Sequence, residues 1–291
     1  MEQLLVNTAV AASIYCLVAV GFGLVYSGFR FFHFAHGALY VAGAYACYAA
    51  RIGAGLPLWC SALLGIGVSA ILGAACDLLV YRHLRKRRAG ATALFVASMG
   101  LYAVIQNAIA MIFGDTNRTI RTWSVVEGHR IGDARISTAE LCIVGVAVVL
   151  IATTAAVLRY TKAGIALRAL SADADLSRCA GVDLDRSAVL VLVVASGLAG
   201  CAGVLIALDT DITPQMGFWG LLMGVVATIV GGIGRPAGAL LGAVLIAAAQ
   251  QISIWYLPSQ WKDAVAFGVL FLALVLRPHG LMGQPIRKAT V

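Results

Sequence analysis

Nine apolar runs in succession limit what this chain can fold into: 4–26, 34–50, 57–80, 92–113, 138–158, 187–208, 216–233, 237–256 and 264–276. A helix that crosses the hydrocarbon of a bilayer needs about 20 mainly apolar residues, and most of these runs reach that length, while the second and the last are short. The pattern predicts an all-α, polytopic transmembrane bundle of about 8–9 segments, some interrupted or re-entrant, forming a single domain over residues 1–291. A soluble fold would need polar faces at helical spacing, and most runs have none. Composition agrees: 61% of the residues are hydrophobic and 12% charged, against about 25% charged in ordinary soluble domains.

Charge then orients the chain. The connection after the third run carries Arg82, Arg85, Lys86, Arg87 and Arg88 without an acid, which marks it as cytoplasmic by the positive-inside rule. Counting spans brings the polar stretch 159–187 to the same side, and the C-terminal Arg277, Arg287 and Lys288 as well. Whether Met1 faces outward depends on whether 34–50 crosses or re-enters. The formal net charge of +8 is accounted for by these loops, so nucleic acid is not an expected partner. The first run has no basic residue in front of it and reads as a retained span rather than a cleaved signal. Seven cysteines are scattered without a CxxC, which indicates neither a disulfide framework nor a metal site.

The stretch 159–187 is the one long polar island. Ser171 is a good N-cap, Asp173 and Asp175 sit where carboxylates favour the positive helix end, Arg178 lies toward the last turn and Gly181 follows as a C′ residue. A short capped helix from about 172 to 180 is expected, with Ala174 on a small contact face. Isolated helices of that length are marginal in water, so this one is expected to dock on a partner.

Two runs are interrupted. Arg30, His33 and His36 lie before or inside a run threaded by Gly37 and Gly43, and Gly231, Gly232 and Gly234 stop a helix ahead of Pro236, which suits the first turn of the next. Broken backbone at membrane depth persists only where protein or a water-filled cavity surrounds it, so paired interruptions point to a transport path. His33, His36, Gly37, Gly43, Gly231, Gly232 and Gly234 are accordingly the candidate path residues. Two histidines fall short of the three or four protein ligands of a zinc site, so no metal is expected. Ala195, Ala199 and Gly203, four apart, offer a small face for close helix packing. Asp77 and Glu140 sit near span ends and read as interfacial.

No GxxxxGK[ST], HExxH or GxSxG stretch occurs; the chain has no nucleotide-binding loop of its own and no catalytic residue is expected. A secondary carrier or channel would place an ionisable group deep in the bundle, and a membrane enzyme would show a nucleophile or metal constellation. Both rivals are disfavoured.

The stretches 33–45 (HFAHGALYVAGAY), 167–183 (LRALSADADLSRCAGVD) and 230–243 (VGGIGRPAGALLGA) together resemble the shorter inner-membrane permease of branched-chain amino acid ABC importers. Urea and short-chain amide importers are similar over the same stretches. The resemblance implies a bacterial inner-membrane location and partners: a homologous second permease, two cytoplasmic ATPase subunits that bind ATP–Mg, and a periplasmic substrate-binding protein. It also implies that the island helix around 173–181 is the segment seated on the ATPase. Where the family usually has Asn, this chain has His33, a departure that bears on substrate preference if the position lines the path.

Overall fold

The computed structural model describes residues 1–121, 128–131, 134–234 and 236–283. All nine predicted runs are helical. In chain order they are α1 (Glu2–Phe29), α2 (His36–Tyr48), α3 (Leu58–Cys76), α5 (Ala91–Phe113), α6 (Thr138–Tyr160), α9 (Leu184–Asp209), α10 (Met216–Gly231), α11 (Pro236–Tyr256) and α12 (Lys262–Leu276). Helix α3 runs on through a wide π turn, Asp77–Tyr81, into the short α4 (Arg82–Lys86). The island supplies α7 (Lys162–Ala172) and α8 (Ala174–Cys179), and a small hairpin, β1 (His129–Ile131) with β2 (Ala134–Ile136), precedes α6. Seven helices are long and apolar enough to span a membrane; α2 and α10 are the short members.

The bundle is sorted by burial. Helices α1 and α9 form its centre with α2, whereas α5, α6 and α12 turn large apolar side chains such as Met111, Val149 and Leu276 outward. In lipid such a face is satisfied, and helices associate through close packing of small residues instead of a hydrophobic drive. That packing is concentrated where α2, α3 and α9 meet. A Cβ on Gly43 would lie 2.6 Å from the Gly200 Cα, and one on Gly65 would lie 2.5 Å from the Gly43 carbonyl oxygen. Beside them the buried Ser69 hydroxyl donates to the Ser196 carbonyl oxygen at 2.7 Å, with that of Leu39 at 2.9 Å as the other acceptor. The small face of α9 packs as its spacing predicted: Ala195 and Ala199 are wholly buried, and Gly203 stands against the Tyr40 backbone.

The two ends of the bundle are chemically distinct. At the basic pole, Arg82 and Arg85 pair with Asp185 and Arg30 donates to the Ser171 carbonyl oxygen at 2.9 Å. Leu281 donates to the Val230 carbonyl oxygen there. The loop 81–91, the island and the end of α12 therefore share one pole, as the charge parity required. At the opposite pole Gln3 bonds the Arg135 backbone, Arg121 pairs with Asp211, and Arg118 and Ile212 pair through their backbones. Met1 thus lies opposite the basic loops, and α2 carries the chain back as the upper half of a crossing.

Candidate translocation site and coupling island

The first interruption is an elbow that enters the bundle. Helix α1 ends at Arg30, whose backbone is left-handed (φ 53°). The chain then dives, so that His33 and His36 are both fully buried. Buried backbone without a ladder must find partners, and here α5 supplies one. The wholly buried Ser98 hydroxyl accepts from the Phe34 N–H at 3.0 Å and lies 2.7 Å from the Phe95 carbonyl oxygen. Phe32 and Phe34 wedge the elbow against Phe22, Phe95, Tyr102 and Phe218 in edge-to-face and tilted contacts. His33 Nδ1 is 3.0 Å from the Tyr81 hydroxyl, and its ring meets that of His36 edge to face.

Tyr81 ends the π turn, and Asp77 and Tyr81, four apart on one face, are both buried in the interior. Asp77 is wholly buried, and Arg85 holds its carboxylate at 2.5 and 3.0 Å in a fork, while also reaching Asp185 at 3.5 Å. Asp77 stands at the basic end of its span, and its carboxylate can be buried there because the arginine one turn beyond the π segment follows it in. Glu140 is at a helix start as expected, closing a capping box with Ser137.

The second interruption stays at the basic pole. Gly231 packs on the Gly238 carbonyl oxygen, Gly232 turns the chain with φ 105°, and Pro236 opens α11. The open carbonyls at the end of α10 accept from the N–H groups of Leu281 (2.9 Å) and Met282 (3.0 Å), so the segment after α12 caps the break.

Two cavities flank this core. One of about 290 Å³, mainly apolar, lies toward the basic pole and is bordered by Gly234, Ser27, Thr228 and Ser171. The other, about 700 Å³, opens toward the opposite pole and is lined by Tyr15, Tyr40, Asp209, Trp219, Lys262 and Asp263 among others. Of the sequence-predicted path residues, Gly234 borders the smaller cavity. His33, His36, Gly37, Gly43, Gly231 and Gly232 line neither; they form packed walls, with Gly37 against the Gly217 carbonyl oxygen. Tyr81 and Ser98 carried no motif that singles them out, and Tyr40, inside the stretch 33–45, was not picked out within it. Among the described residues no group of three or more His, Cys, Asp and Glu side chains could hold a metal.

The island holds two helices where one was expected. Thr161 caps α7 by accepting from the Gly164 N–H at 3.1 Å. Ser171 is inside α7, its hydroxyl donating to the Arg168 carbonyl oxygen at 2.8 Å. The predicted Ser171 cap is therefore corrected. Asp173 breaks out of the helix and becomes the cap of α8, accepting from the Leu176 N–H at 2.9 Å. A carboxylate two residues later in the chain competes for the same role and wins because α7 already has its own start at Thr161. Gly181 follows α8 with φ 83°, as a C′ glycine should. Asp183 then caps α9 through the N–H groups of Asp185 and Arg186. The side chains of Ala174, Asp175 and Arg178 lie outside the described residues. Leu176 on α8 is 68% exposed.

A bundle with this element order and these poles matches known proteins. The family model described as branched-chain amino acid transport system, permease component, matches residues 4–274. The chain belongs to that permease family. It is 27% identical to the high-affinity branched-chain amino acid transport permease LivH of Escherichia coli K12, over 97% of this chain and 96% of that one. Against the corresponding permease BraD of Pseudomonas aeruginosa the identity is 29%, over 97% and 96%. The solved PsaBC complex from Streptococcus pneumoniae with Fab shares the fold, with a TM-score of 0.53 at 13% identity and 94% and 91% coverage. This permease is a multi-pass inner-membrane transport protein. Its basic pole is the end that positive-inside orientation assigns to the cytoplasm.

Proposed function

We propose that this permease forms the translocation path of an ATP-driven importer for branched-chain or related hydrophobic amino acids. In this reading it pairs with a homologous second permease. Two cytoplasmic ATPase subunits supply ATP–Mg hydrolysis, and a periplasmic binding protein delivers the solute. Support for the amino-acid class is the nearly full-length similarity to LivH and BraD. The observation that carries the importer reading is the island. Three side-chain caps, Thr161, Asp173 and Asp183, fold a polar connection between two spans into a rigid unit. That unit presents the exposed Leu176 to water. An exposed leucine on a six-residue capped helix is poorly explained by a solvated connector and well explained by a groove that receives it. Arg30 and the Asp185–Arg85–Asp77 chain of ion pairs tie the island to α1 and α3, so a push on α8 reaches the bundle.

The test is Leu176→Arg in the assembled importer. Loss of ATPase copurification and of ATP-driven leucine uptake, at unchanged permease abundance, is the expected result. Normal ATPase association would remove the coupling role. Uptake of urea or a short-chain amide in place of leucine would keep the importer and change its substrate.

A further inference from the structure

The 700 Å³ cavity has a chemical character that the packing of the bundle does not require. Three acids, Glu140, Asp209 and Asp263, and one base, Lys262, line it. Glu140 is committed to its capping box, its carboxylate accepting from the Ser137 N–H at 2.6 Å. Asp263 accepts from Gln250 at 3.1 Å, and that amide in turn accepts from the Tyr15 hydroxyl at 2.8 Å. Asp209 differs. Its backbone carbonyl accepts from Arg121, but its half-buried carboxylate accepts no hydrogen bond from the described residues.

Deeper in the same cavity stands Tyr40, one turn into α2 and only 3% exposed. The outer end of its ring packs beside Gly220, which lines the cavity as Tyr15 does. Among the described residues that hydroxyl has no hydrogen-bond partner. The ring is buried but the hydroxyl oxygen is not sealed in, so it opens to the cavity and its partner is whatever the cavity holds. Ile14, Met216 and Trp219 form an apolar wall alongside.

We propose that the cavity receives a primary ammonium group attached to an apolar body, with the Asp209 carboxylate holding the charge and the Tyr40 hydroxyl accepting one of its protons. Asp263 and Lys262, also in the lining, offset each other, and the apolar wall takes the side chain. The inference deepens the amino-acid importer reading and rests on it for the identity of the solute. It does not rest on it for the ammonium site.

The experiment measures binding to the purified full-length permease in detergent, by saturation-transfer NMR. The probes are L-leucine, 3-methylbutylamine, which lacks the carboxylate, and 4-methylpentanoate, which lacks the ammonium. Leucine and the amine are expected to bind and the acid is not. Asp209→Asn is expected to weaken amine binding about tenfold, as loss of a charge-assisted hydrogen bond does. Tyr40→Phe, which keeps the ring and its packing, is expected to weaken it about threefold. Asp211→Asn, an acid of the same pole paired with Arg121 and outside the cavity lining, separates a specific site from general surface charge and is expected to leave binding unchanged. The proposal is overturned if the acid binds as well as the amine, if both cavity variants bind the amine like the unmodified protein, or if Asp211→Asn weakens it equally. Because Tyr40→Phe is nearly isosteric, it tests the site even if Asp209→Asn does not fold, and unchanged amine binding in that variant alone would then overturn the proposal. Amine binding that depends on Asp209, without ATP-driven leucine uptake, would uphold the site and sink the amino-acid importer. Uptake without such binding would do the reverse.

Discussion

The elbow before α2 and the break before α11 look alike in sequence and behave differently in the bundle. Each separates two apolar helices, and each is followed by Gly-Ala-Leu, at 37–39 and at 238–240. The elbow carries its backbone into the interior, where an α5 serine and a histidine–tyrosine contact service it. The break stays at the basic pole, where the chain segment after α12 donates to its open carbonyls. A local sequence signal therefore fixes that a helix stops. Depth is set by whichever distant group can satisfy the stopped backbone.

The largest effect is expected from Gly43→Leu, on the helix that the elbow introduces. The Gly200 backbone leaves no room for a Cβ, so the two helices must part, a loss well beyond the about 1–3 kcal/mol of overpacking a side-chain core. Membrane abundance and monodispersity by size exclusion should collapse. Gly67→Leu, at a position with no neighbour within 4 Å, should leave both intact. Equal behaviour of the two would mean that the junction is looser than drawn.

Next in size is Asp77→Ala, which leaves Arg85 with Asp185 alone, at 3.5 Å. With that second carboxylate in place the loss falls short of the about 3–5 kcal/mol of an uncompensated buried charge and is read as a lowered thermal unfolding midpoint of the purified permease. If Asp77→Ala unfolds no earlier than the unmodified protein, the π turn is not a structural joint.

The contrast itself is tested by pairing Ser98→Ala with a truncation after Pro278. The first leaves the Phe34 N–H without its acceptor in the interior, at about 1–3 kcal/mol. The second removes the Leu281 and Met282 donors at a pole, where water replaces them, and a smaller loss is expected. A truncation that costs as much as Ser98→Ala would show that the break is as buried as the elbow.

The smallest effect is expected on the island. Asp173→Ala should cost about 1 kcal/mol of α8 stability as a lost cap, detectable as faster hydrogen exchange at Leu176. Ser171→Ala, inside α7, should not change that exchange. The reverse order would restore Ser171 as the cap.

Apolar run length determined the nine segments, their approximate ends and the shared pole of the basic loops, because the hydrocarbon demands length and the loops advertise charge. Gly181 and Gly232 were legible for a local reason: each sits at a positive φ that its own turn requires. Tertiary structure alone decided that Asp77 is buried, since its partner Arg85 follows it in from beyond a π turn that no residue spacing announces. The same holds for Ser98 and Tyr40, an ordinary serine and tyrosine in apolar runs until α5 meets the elbow and α2 meets the cavity. Even the break between α7 and α8 went to Asp173 instead of Ser171, which lies inside the helix that Thr161 starts upstream. Length, charge and turn chemistry act over a few residues and can be read along the chain, whereas the partner of a buried polar group is chosen by packing across it.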